Sequence, residues 1–213
     1  MPLSPKRVAN TCLARAWNLL AGSTNPNIAL RTREDLRRLA LVMGVVAVDA
    51  YMHWVVFQRL SDVRGQGELP KALGNIQVPF DELASLAEAT VAARKEGLHS
   101  RPWVQAKNAA QKRLRRMTLQ SFQDVGDAMA MIGVKDGWKD VGKAMSATPA
   151  DIKTQLDRIV GRRNQIVHEG DLTRQSRPRR VTLNPITRLK VEKDLDFLKR
   201  LLEALHKVIA NAA

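Results

Sequence analysis

The chain reads as an all-α protein, and three observations predict it. Aromatic residues make up 4% of the 213 residues, with a single tyrosine, fewer than a β-sandwich usually carries. Leu195, Leu198, Leu201, Leu202, Leu205, Val208 and Ile209 recur at helical spacing and give the C-terminal segment one continuous apolar face. Segment ends carry helix punctuation, most clearly Thr148-Pro149 as a start and Gly170 as a stop. An apolar fraction of 45% is ordinary for a globular chain, so one good-sized core is expected rather than disorder.

Taken in order, Pro5 to Leu20 is expected as a first helix, closed by Ala21-Gly22-Ser23. Asn25-Pro26-Asn27 marks a loop. Thr32 then reads as the N-cap of a long central helix, with Asp35 at the capping-box position. That helix should run to about Val63, where Arg64-Gly65-Gln66-Gly67 and Pro70 stop it. Leu39 to Phe57 within it is nearly long and apolar enough to span a bilayer. Asp49 and His53 interrupt that stretch and would be expensive in lipid, so a buried central helix is the reading and no membrane is expected.

Pro79 to Glu96 suits a helix with Asp81 and Glu82 at its positive end. Pro102 to Arg116 and Thr118 to Ile132 read as helical, and Gly133, Gly137 and Gly142 limit a short helix after them. The helix opened by Thr148-Pro149 should reach His168 or Glu169. Leu172 to Ile186 has no helical period and includes Pro178 and Pro185, with a short extended piece at Val181-Thr182-Leu183. Thr187 begins the last helix. No linker or repeat divides the chain, so one helical domain over residues 31–213 with an N-terminal helical extension over residues 1–30 is expected.

The formal net charge of +14 draws phosphate polymers and acidic surfaces. Arg113, Arg115 and Arg116 belong to one basic run that also holds Arg101, Lys107 and Lys112. A second contains Arg174, Arg177, Arg179, Arg180, Arg188 and Lys190. Both are expected to guide an RNA backbone or to meet an acidic protein. Trp103 and the few other aromatics do not make a stacking platform for single strands. Cys12 alone excludes an intrachain disulfide and a cysteine-zinc cluster and fits a reducing cytoplasm. Lys6 and Arg7, followed by Asn10, Thr11 and Arg15, do not read as a signal peptide.

The most informative stretch is Arg162-Arg163-Asn164-Gln165-Ile166-Val167-His168-Glu169-Gly170-Asp171. On a helical wheel Arg163 falls within the apolar stripe of Ile152, Leu156, Ile159, Val160, Ile166 and Val167, so its guanidinium must emerge at the core's edge or be paired. Arg158 and Arg162 fall where ordinary surface arginines do. Asp157, Gly161, Asn164 and His168 share a neighbouring polar face, read as a cleft edge or a helix contact. Gly161 there suggests close approach of another backbone. His168 lies in the last turn, where the macrodipole favours the imidazolium. Asn164, one turn earlier, can hydrogen-bond the ring or a substrate oxygen. The bland alternatives are a favourable helix ending at His168 and a structural pairing of Arg163 with an acid such as Asp49. Asp49 and His53, one turn apart, either orient Arg163 or His168 or satisfy each other inside the bundle, the simpler reading. Glu169 and Asp171 are accessory or solvated helix-end acids, while His99 and His206 look like surface residues. No third ligand stands at a useful spacing for zinc, so no metal or other cofactor is expected.

Arg163-Asn164-Gln165-Ile166-Val167-His168 resembles the signature of the HEPN superfamily: an arginine, a polar residue beside it, and a histidine after four to six intervening residues. Val48-Asp49-Ala50-Tyr51-Met52-His53 is similar to the first-helix pattern of the RiboL-PSP-HEPN branch. The resemblance covers approximately Arg31 to Ala213 and implies a helical bundle that dimerises, with the N-terminal extension outside it. Many members are metal-independent endoribonucleases of toxin–antitoxin, anti-phage and RNA-processing systems, and others bind without cleaving. The resemblance makes Arg163, His168 and Asn164 the catalytic candidates, with Asp49, His53, Asp157 and Glu169 as accessory ones. The expected function is RNA cleavage by 2′-hydroxyl attack at a homodimer interface. A non-catalytic helical module for RNA or a partner protein, such as an acidic antitoxin, is the second reading. A basic DNA-binding protein is the third, though no clear helix-turn-helix signature supports it.

Overall fold

The computed structural model describes residues 4–62, 69–97, 102–173 and 181–212. Among them are nine helices: α1 Pro5–Gly22, α2 Leu30–Asp62, α3 Lys71–Gly74, α4 Phe80–Lys95, α5 Pro102–Leu114, α6 Phe122–Met131, α7 Gly137–Met145, α8 Pro149–Glu169 and α9 Arg188–Ala212. Val63, Arg64, Gly65, Gln66, Gly67, His99, Arg101, Arg174, Arg177, Pro178, Arg179 and Arg180 lie outside the described residues.

The central helix α2 packs against α1, α5, α6, α8 and α9. By length and composition it could cross a membrane, but here the neighbouring helices cover one apolar face, including Leu41, Val45, Val48, Tyr51, Met52 and Val56. α9 supplies the opposing stripe, with Leu195, Leu198, Leu201 and Leu205 all fully buried. Each such side chain contributes roughly 1.5–3 kcal/mol of burial free energy. The two helices close on Gly44, where an added Cβ would overlap Leu195 and stand 3.0 Å from Leu198 Cδ1. Residues of the expected N-terminal extension join this core: Ala9, Leu13, Ala16 and Leu20 of α1 are buried, and α1 lies along α2 and against α9.

Helix limits follow local capping chemistry, and the departures from expectation have local causes. Ser4 caps α1 by accepting from the Arg7 amide at 3.2 Å, with Pro5 in the first turn. Thr148 caps α8 in a capping box with Asp151, and Gly170 ends that helix at φ 62°. Thr32, in contrast, caps nothing, because α2 already begins at Leu30. Asp35 turns to Arg38 instead, at 3.1 Å. The expected helix from Thr118 starts later, since Ser121 and Asp124 form a capping box that sets the N-terminus of α6 at Phe122. The four-residue α3 has no counterpart in the sequence reading. Leu172 and Leu183 form an isolated antiparallel bridge, so Leu183 of the expected extended piece is paired.

Candidate functional site

α8 carries Arg163, Asn164 and His168 to its C-terminal end. Gly170 and Asp171 both adopt left-handed backbone, at φ 62° and 59°. Their amides both turn back to the Gln165 carbonyl, the Asp171 amide at 3.0 Å. Aspartate tolerates this conformation better than most residues because its short polar side chain bonds locally.

Asp171 is fully buried, not a solvated helix-end acid. Arg38 Nε of α2 donates to its Oδ2 at 2.6 Å, and Arg162 Nη2 donates to the same oxygen at 2.9 Å. Arg162 Nη1 lies 2.5 Å from Oδ1. Asn184 Nδ2 donates to the Asp171 carbonyl at 3.1 Å, and the Asn184 amide does so at 2.8 Å. Arg38 Nη2 then donates to the Asn184 carbonyl at 2.9 Å, while Arg37 Nη1 reaches the Ile186 carbonyl at 3.2 Å. One buried carboxylate and a run of carbonyls thus join α2, the end of α8 and the entry to α9. Charge-assisted bonds of this kind keep two guanidiniums inside the protein. Arg162 is therefore an anchor rather than the ordinary surface arginine its wheel position suggests. The pairing was illegible in the sequence because its two arginines lie far apart there, at positions 38 and 162.

Arg163 is half-buried, as its place on the apolar stripe requires. Its Nη1 donates to Asn164 Oδ1 at 3.0 Å, and its buried Nε has no hydrogen-bond partner among the described residues. His168 is exposed, and among the described residues no hydrogen bond or ion pair holds its ring. Arg163 and His168 are five positions apart, about 140° of helical rotation, so within one chain they emerge on different sides of α8. Asn164 and Glu169 are half-buried beside them.

Asp157 and Gly161 share the polar face of α8 with Asn164 and His168. Asp157 Oδ1 accepts from the Phe122 amide at 3.2 Å and Oδ2 pairs with Lys153 at 3.2 Å, which ties α8 to the start of α6. Gly161 is exposed, and an added Cβ would meet nothing within 4 Å among the described residues, so none of them makes the expected close backbone approach.

Asp49 and His53 satisfy each other and the α5–α6 connection, rather than orienting Arg163 or His168. His53 Nδ1 donates to the Asp49 carbonyl at 2.8 Å and Nε2 to the Leu114 carbonyl at 3.0 Å. Both ring nitrogens face acceptors, which requires the doubly protonated ring. Burial opposes that charge, but the Asp49 side chain and carbonyl and the Leu114 carbonyl outweigh it and hold the pKa at about 9. Asp49 Oδ1 also accepts from the Leu119 amide at 2.6 Å. His206 is likewise no surface residue. It is half-buried, and its Nδ1 lies 3.2 Å from the Tyr51 hydroxyl, with burial and the Lys6 charge lowering its pKa.

Of the basic candidates, Arg113, Arg115 and Arg116 are exposed at the end of α5, and Lys112 pairs with Glu82. Among the described residues no group of three or more histidine, cysteine, aspartate or glutamate side chains is placed to hold a metal ion.

A long central helix, a late amphipathic helix and an arginine–histidine helix end between them define a HEPN-type helical domain. A family model described as RiboL-PSP-HEPN matches residues 19–211, and the chain belongs to that family. The match begins within α1, earlier than the resemblance near Arg31 suggests. Searches of curated proteins and of solved structures returned no match.

Proposed function

We propose that the protein is a metal-independent endoribonuclease of the toxin or anti-phage defence kind, acting as a homodimer in the cytoplasm. One observation carries this reading. The end of α8 is fixed by the buried Arg38–Asp171–Arg162 cluster, yet the adjacent Arg163 has no acidic partner among the described residues and His168 is exposed. An uncompensated guanidinium suits a phosphate, and an exposed imidazole is placed to take or give a proton.

In the proposed reaction the ribose 2′-hydroxyl attacks the adjacent phosphorus and the bond to the 5′-oxygen breaks. His168 takes or returns the proton at one of these oxygens. Arg163 stabilises the charge that builds on the phosphate oxygens. Asn164 orients the Arg163 guanidinium, to which it is already bonded. The products are a 2′,3′-cyclic phosphate and a 5′-hydroxyl. Because Arg163 and His168 diverge on one helix, a second α8 across a two-fold axis completes the site. Arg113, Arg115 and Arg116, with Arg174, Arg177, Arg179 and Arg180, guide the RNA backbone. An acidic antitoxin would neutralise the same charge.

Binding without cleavage is the second reading, favoured by the Arg163–Asn164 bond, which occupies part of the guanidinium within the chain. Incubating total RNA and defined transfer RNAs with the wild type and His168→Ala, in excess chelator, separates the two. Cyclic-phosphate ends that depend on His168 support cleavage; retention of intact RNA supports binding alone.

A further inference from the structure

Helix α4 has no buried residue and packs chiefly on α5. Glu82 and Leu86 line the crevice between the two helices. On the opposite side, Phe80, Leu83, Ala87, Val91 and Arg94 follow one another at spacings of three or four residues, so they form one stripe. Phe80 is 84% exposed, Leu83 48% and Val91 54%. The acids Asp81 and Glu82 open the helix, and Arg94 and Lys95 close it. This apolar stripe therefore runs along a helix that is acidic at one end and basic at the other.

We propose that this stripe is a self-association surface, on which α4 packs antiparallel against α4 of a second copy of the chain, with the two-fold axis at Ala87. That register sets Leu83 against Val91 and Phe80 against Arg94, an aromatic face against a guanidinium. It also sets Asp81 of each helix near Lys95 of the other, so both ends are complementary in charge. A parallel pairing would instead place like charges together. Ala87 at the crossing is small enough for close approach of the two helices. The surface is separate from α8, so it adds to any pairing made around Arg163 and His168 and does not depend on the nuclease reading. One pair of 16-residue helices is small beside the ~1,200–2,000 Å² of a standard interface, so the association is expected to be weak and concentration-dependent.

Cysteine cross-linking of the full chain tests the register. In a Cys12→Ser background, Ala87→Cys should form a disulfide-linked dimer on mild oxidation, increasingly so at higher protein concentration, and adding Leu83→Glu should abolish it. Asp81→Cys alone should cross-link poorly, since its two copies would lie about 18 Å apart along the pair. Mixed Asp81→Cys and Lys95→Cys chains should cross-link with each other. Equal cross-linking at positions 81 and 87, a position-87 cross-link indifferent to Leu83→Glu, or none at any concentration would each overturn the proposal. Leu83 is exposed in the single chain, and an unchanged circular dichroism spectrum of the Leu83→Glu variant verifies that loss of the cross-link is not loss of fold.

Discussion

Asp171 and Arg38 lie 133 residues apart in the chain and meet at 2.6 Å in its interior. Arg162 closes on the same carboxylate from α8. The helix that carries the Arg163–His168 motif is thereby held to the central helix by charge as well as by apolar packing.

Removing that carboxylate leaves Arg162 with no acid among the described residues and Arg38 with only Asp35 at 3.1 Å and Glu34 at 3.9 Å. Asp171→Asn should destabilise the fold by about 3–5 kcal/mol, as expected when one partner of a buried ion pair is lost. Urea unfolding measures it. A change within 0.5 kcal/mol would show that solvent reaches the cluster and that it anchors nothing.

His53 should make stability depend on pH. Its pKa is raised to about 9 in the folded protein from 6.5. The stabilisation is therefore fully present below pH 6.5 and is lost as pH rises through 9. The linkage is on the order of 3 kcal/mol. Denaturation midpoints collected from pH 6 to 10 should fall across this window in the wild type. His53→Phe should be less stable at pH 6 and should flatten that slope.

Two glycines should respond oppositely to alanine. At Gly44 the new methyl group meets Leu195 and Leu198 in a filled core, and overpacking of this kind costs about 1–3 kcal/mol. Gly161 sits within α8 with open space around it, so alanine there should raise stability by roughly 0.5–1 kcal/mol. Thermal unfolding of both variants checks the signs. If Gly161→Ala stabilises the chain yet weakens dimerisation, the close approach suggested by that glycine lies between subunits.

What the sequence disclosed was chiefly local. Thr148, Pro149, Asp151 and Gly170 act within a few residues of themselves, so both ends of α8 were readable. The apolar period of α9 and the motif at the end of α8 were readable for the same reason. Asp171 reads in the sequence as an accessory or solvated acid because, beside Arg162 of α8, its partners come from α2 and from Asn184 beyond the bridge. His206 looked exposed because Tyr51, its partner, stands on another helix. Thr32 followed by Asp35 reads as a cap, but such a pair caps a helix only where the helix begins, and here the first turn forms earlier, at Leu30.

RNA cleavage in excess chelator, with chemical analysis of the new ends, tests the central claim most directly. Wild-type protein should yield 2′,3′-cyclic phosphate and 5′-hydroxyl ends, and His168→Ala should be slower by about 10²–10⁴-fold, the usual contribution of a positioned acid or base. Arg163→Ala should fail similarly while remaining folded. Cleavage at the parental rate by His168→Ala, or loss of wild-type cleavage on chelation, would contradict the account.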